Sequence, residues 1–128
     1  MSKNFNDIVI TNALRTPIGK YKGSLSSYQA HDLGAAVIKK LLKISKISPE
    51  HINEVVMGQV LTGNTGQNPA RQAAIKAEIP INKTAYIVNQ VCGSGLRSIV
   101  SAYQNLKLND ASIIPVSYTH LRAHETGY

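Results

Sequence analysis

"TAYIVNQVCGSGLRSIVSAYQ", Thr84 to Gln104, changes its period in the middle. Thr84 to Val91 is apolar and rich in β-branched residues, the composition of a strand covered on both faces. Beyond Gly95 the apolar residues Leu96, Ile99, Val100, Tyr103 and Leu106 share one helical face. A strand, a glycine-bearing turn and an amphipathic helix make up part of a parallel βαβ crossover. Cys92, the only cysteine in 128 residues, falls in the turn.

The same alternation extends toward the amino terminus. Glu54 to Leu61, "EVVMGQVL", reads as a strand. The polar, glycine-rich "TGNTGQN" follows, and then a helix to about Ala77, with Asn68 as its cap and Pro69 in its first position. From Gln29 to Ile44, the residues Ala30, Leu33, Val37, Ile38, Leu41 and Leu42 recur at helical spacing, with Ser26 and Ser27 as candidate caps. Ser48-Pro49-Glu50 has the pattern of a short helix start. "DIVITNA", Asp7 to Ala13, reads as a buried parallel strand, and the glycine- and proline-punctuated stretch after it as a long loop. "ASII", Ala111 to Ile114, begins a fourth strand, which we expect to stop at Pro115. The predicted class is α/β, in the order β-α-β-α-β-α-β, with helices packed on a mainly parallel sheet.

Composition narrows the function. Aliphatic residues and alanine carry the packing, since there is one phenylalanine and no tryptophan. The formal charge is +7, but its densest group, Lys39, Lys40, Lys43 and Lys46, lies on the polar side of a predicted helix. No aromatic interleaving or groove-reading motif accompanies it, so we expect no nucleic-acid partner. No apolar run approaches a membrane span, and the polar start has no apolar signal core, so we expect no membrane partner and a cytoplasmic location. Asn82 heads a sequon that lacks this secretory context. One cysteine excludes an internal disulfide and a cysteine-based zinc site.

Cys92 is the candidate nucleophile. It lies at the carboxyl end of a predicted central strand, where open α/β sheets bind ligands. It also sits at or just before a helix amino terminus, whose partial positive charge favours a thiolate. Gly93 and Gly95 leave room for a carbonyl to approach. The competing reading is a small, inert, buried cysteine. "GNTGQN" lacks the ending of a P-loop and the spacing of a dinucleotide fingerprint, so a tight strand-to-helix turn is the better reading. Arg71 is opposed by its helix dipole and needs a carbonyl or carboxylate partner unless it is simply exposed. His31 and His51 lack metal partners at helical spacing and read as surface or half-buried residues. His120 and His124 have no supporting ligands, and no metal is expected.

Four stretches together resemble the thiolase family. "NQVCGSGLRSIVSAYQ" is similar to its nucleophile segment, "GQNPARQAA" to the loop and helix before it, "ALRTPIGKYKGSL" to its N-terminal loop and "HDLGAAVIKKLL" to its first helix. The resemblance implies an acyltransferase that condenses two acetyl-CoA molecules or cleaves 3-ketoacyl-CoA, with Cys92 carrying the acyl group as a thioester. Gly-Ser-Gly after the cysteine resembles the acetoacetyl-CoA type more than the long-chain degradative type. The substrates implied are acyl-CoA and coenzyme A, with no further cofactor, and the full-length assembly implied is a homodimer or homotetramer.

The family's Asn-Glu-Ala-Phe motif, its Gly-His-Pro motif with the activating histidine, and its second cysteine are absent from these residues. Neither His120 nor His124 matches the activating histidine. Residues 1–114 are therefore expected to be part of a thiolase N-terminal domain, inactive alone. Residues 115–128 are expected to be a non-family tail, foreign or disordered. A ketoacyl-synthase-type condensing enzyme and a non-enzymatic α/β interaction module are the alternatives.

Overall fold

The computed structural model describes residues 7–119. Three helices pack on a three-stranded sheet: α1 (Ala30–Ser45), β1 (Glu54–Gln59), α2 (Pro69–Lys76), β2 (Thr84–Val88), α3 (Ser94–Lys107) and β3 (Val116–Thr119). A 3₁₀ turn, Pro49–His51, precedes β1. The strand order is β2-β1-β3 and both pairings are parallel, with Met57 opposite Ile87 on one side and Ser117 on the other.

The central strand is the most apolar in its surroundings. Val55 and Met57 point to one face, where Ala35, Ile38 and Leu42 of α1 and Ala70, Ala73 and Ala74 of α2 complete the core. Alanine dominates that layer, so α1 and α2 lie close together. Lys76 on α2 hydrogen-bonds Asp32 on α1 at the rim of this contact. Side chains alternate along a strand, so Val56 and Gly58 face α3 instead. A Cβ on Gly58 would lie 2.6 Å from the Ser94 carbonyl carbon and 2.9 Å from the Gly95 nitrogen. The missing side chain lets the amino end of α3 rest on β1.

Helix starts follow local chemistry. Asn68 caps α2 by accepting from the Arg71 N–H at 3.1 Å, as its sequence position predicts. At α1 the boundary differs from expectation: Gln29, not Ser26 or Ser27, is the N-cap. The Asp32 carboxylate accepts from the Gln29 N–H at 2.9 Å, and this fixes the entry.

Two strand expectations are corrected. Asp7–Ala13 pairs with nothing among the described residues, and Val9 and Ile10 are exposed. The sheet keeps open edges on β2 and β3, but the segment pairs with neither, and without a pairing neighbour apolar composition does not make a strand. The observed order among the described residues is thus α-β-α-β-α-β. The fourth predicted strand falls on Val116–Thr119 rather than Ala111–Ile114. Pro115 precedes the strand instead of ending it, and its carbonyl accepts from the Val56 N–H at 3.2 Å. Asn53 holds the approach, its Oδ1 accepting from the Ser112 and Ile113 amides at 2.8 and 3.0 Å. His120 and His124 lie outside the described residues.

Candidate active site

Parallel pairing puts the carboxyl ends of all three strands on one edge. Two loops meet there: Val60–Asn68 after β1 and Asn89–Gly93 after β2. Cys92 is in the second loop, two residues before α3 begins, and it is exposed. The alternative reading of a buried cysteine is thereby corrected. β2 ends at Val88, three residues earlier than its composition suggests, because Asn89–Val91 turn away from the sheet to make the loop.

The turn is tight and held by polar side chains. The Gly93 N–H donates to the Gln90 carbonyl at 2.9 Å and the Ser94 N–H to the Val91 carbonyl at 3.2 Å. Val91 has φ of 49°, in the left-handed region that a β-branched residue rarely adopts. The Asn89 Oδ1 accepts from the Val91 N–H at 2.9 Å, and the Asn89 Nδ2 donates to the Val60 carbonyl at 3.1 Å. The Ser94 hydroxyl donates to the Val91 carbonyl at 2.6 Å and accepts from the Gln90 N–H at 2.9 Å. Asn89 and Ser94 were not singled out from sequence. Their flanking of a cysteine between a strand and a helix is the signal that was available.

The "GNTGQN" loop is closed by its own bonds. Thr65 Oγ1 donates to the Thr62 carbonyl at 2.6 Å, and Gln72 Nε2 donates to the carbonyls of Thr65 and Gln67 at 2.8 Å each. The α2 amino end is occupied by Asn68, consistent with a strand-to-helix turn rather than a phosphate cradle. Arg71 has found carbonyl partners: its guanidinium donates to Lys83 at 2.6 Å and to Ile81. With the Asn68 Nδ2 donating to the Ala85 carbonyl at 2.9 Å, it ties α2 to the start of β2 and so to the strand that carries Cys92.

His31 and His51, the histidines among the described residues, lie elsewhere. His31 is buried, at 7% exposure, which corrects its reading as a surface or half-buried residue. Burial pushes its pKa below the usual imidazole value, the nearby Lys76 charge adds to this, and Asp32 opposes it. Its Nδ1 has no hydrogen-bond partner among the described residues. His51 is exposed on the 3₁₀ turn. Among the described residues no group of three or more histidine, cysteine or acidic side chains is arranged to hold a metal. No helix among them is long and apolar enough to cross a membrane.

A profile described as the thiolase N-terminal domain matches residues 8–117. This chain belongs to the thiolase family. Acetyl-CoA acetyltransferase of Cupriavidus necator is 50% identical over 108 residues, covering 84% of this chain and 28% of that protein. The cytosolic acetyl-CoA acetyltransferase of Rattus norvegicus is 41% identical over 114 residues, covering 89% and 29%. Among solved structures, the Acat5 thiolase from Ascaris suum in complex with coenzyme A superposes with a TM-score of 0.77. It is 36% identical and the match covers 79% of this chain and 26% of that one. The thiolase chain described here therefore spans little more than a quarter of the length of its curated relatives. The family assignment favours thiolase over the ketoacyl-synthase alternative.

Proposed function

We propose that this chain supplies the acyl-carrying nucleophile of an acetyl-CoA acetyltransferase, and that the nucleophile is Cys92. The observation that carries the reading is an exposed thiol on the β2–α3 turn of a thiolase-family chain. Coenzyme A thioesters are the substrates, a reading supported by the relatives' names and by the coenzyme A complex of the A. suum neighbour.

In the synthetic direction the Cys92 sulfur adds to the carbonyl of acetyl-CoA. The carbonyl carbon–sulfur bond to coenzyme A breaks, coenzyme A leaves, and the acetyl group stays on Cys92. The α-carbon of a second acetyl-CoA, losing a proton, then attacks the acetyl carbonyl, releasing the cysteine sulfur and forming acetoacetyl-CoA. Thiolysis is the reverse. The two protons need acceptors, and His31 and His51 lie on elements other than the turn. The family resemblance assigns these roles to the Gly-His-Pro histidine and the second cysteine, whose motifs these residues lack.

The chain alone is accordingly expected to show no acetoacetyl-CoA cleavage. A chimera tests the assignment: this chain's residues 8–117 replace the matching segment of the C. necator relative. It should cleave acetoacetyl-CoA, and Cys92→Ala within it should lower the rate at least about a thousandfold. Activity that survives Cys92→Ala would refute the role of Cys92.

Homodimeric or homotetrameric assembly, a cytoplasmic location and a place in fatty acid metabolism belong to the same proposal. The cytosolic rat relative supports the location. A foreign origin for residues 115–128 also remains a proposal. Residues 116–119 form an edge strand in the described sheet, and the family match reaches 117. Sequencing the source DNA through the Ile114 codon tests it: a frame continuing into the missing family motifs supports a foreign tail, and a frame ending at Tyr128 opposes it.

A further inference from the structure

Val91 is the unusual residue beside the proposed nucleophile. A β-branched side chain at φ of 49° is strained, and packing does not impose it, since Val91 is 63% exposed. What holds it is polar. Asn89 grips the Val91 N–H from one side, and the fully buried Ser94 grips the Val91 carbonyl from the other. Each of these side chains has a second bond that anchors it, Asn89 to Val60 at the end of β1 and Ser94 to the Gln90 amide. Gly58 leaves the space in which Ser94 sits against β1. Cys92 is the next residue after the one so restrained.

We propose that Asn89 and Ser94 are positioning residues that clamp Val91 in its left-handed conformation and thereby hold Cys92 at the amino end of α3. This rests on the reading of Cys92 as the acyl nucleophile. Without the clamp, Val91 relaxes to ordinary backbone angles and the sulfur leaves its place. Glycine at position 91 adopts the same angles without strain, so the clamp matters less there.

The test is the rate of Cys92 alkylation by iodoacetamide, measured across pH on the full chain, with circular dichroism and urea midpoints recorded for each variant. Asn89→Ala and Ser94→Ala should slow alkylation below neutral pH by about tenfold. Val91→Gly should shrink the effect of Asn89→Ala, a coupling that general loss of stability would not produce. If Asn89→Ala fails to fold, Ser94→Ala in the parent and Val91→Gly backgrounds reads the same coupling. Variants that stay folded and alkylate like the parent overturn the clamp. The chimera's dependence on Cys92 is measured separately, so failure of the nucleophile reading is told apart from failure of the clamp.

Discussion

At the scale of single residues, the contact between Gly58 and α3 is the least forgiving. A methyl group there meets main-chain atoms of Ser94 and Gly95, which cannot rotate away. Gly58→Ala should cost about 1–3 kcal/mol, read from the urea midpoint. His31 makes stability depend on pH. Its folded pKa lies below the ordinary value near 6.5, so the unfolded chain takes up a proton that the folded chain resists. Its contribution is complete above that value and is lost as pH falls below it. Asp32, held low chiefly by its hydrogen bond from Lys76, adds a second loss as pH falls below the ordinary carboxylate range. Urea midpoints over this range should show both limbs, and His31→Phe should flatten only the upper one. Cys92 was legible as a residue because strand, glycines and helix all flank it in sequence. Gly58 and the burial of His31 were not. Both depend on which distant segment arrives, α3 over Gly58 and Lys76 of α2 near His31, and no local pattern encodes that.

At the scale of elements, helices were easier to read than strands. Each helix carries its own period, and α2 also carries its own cap. Asn68 combines that cap with a bond to Ala85 and a φ of 40°. Asn68→Ala should cost about 1–2 kcal/mol, and Asn68→Gly distinctly less, since glycine accepts the backbone angle. Thermal unfolding of the two variants checks the order. A strand exists only if a neighbour offers an edge, so composition alone misassigned two segments. Asp7–Ala13 has the residues of a strand and no pairing partner among the described residues. Val116–Thr119 follows a proline and reads poorly, yet it pairs with β1 because Asn53 and Pro115 lead it there.

At the scale of the whole molecule, apolar surface outside the core sets behaviour in solution. Leu96 and Leu108 on or beside α3, and Val9, Ile10 and Ile81 elsewhere, are each more than two-thirds exposed. Such surface favours association, opposed by mutual repulsion at a net charge of +7. Light scattering should rise with protein concentration and with salt. Leu96→Lys should reduce it while leaving the urea midpoint within about 0.5 kcal/mol of the parent. The position of β1 has a separate consequence. Among the described strands it is the one flanked on both sides, and Val55 to Gln59 are all buried. When the chain is moved into deuterated water, amides of the outer strands and helix ends exchange through local openings. Those of β1 must wait for the entire fold to come apart. Their slowest rates would therefore report the global unfolding free energy without denaturant.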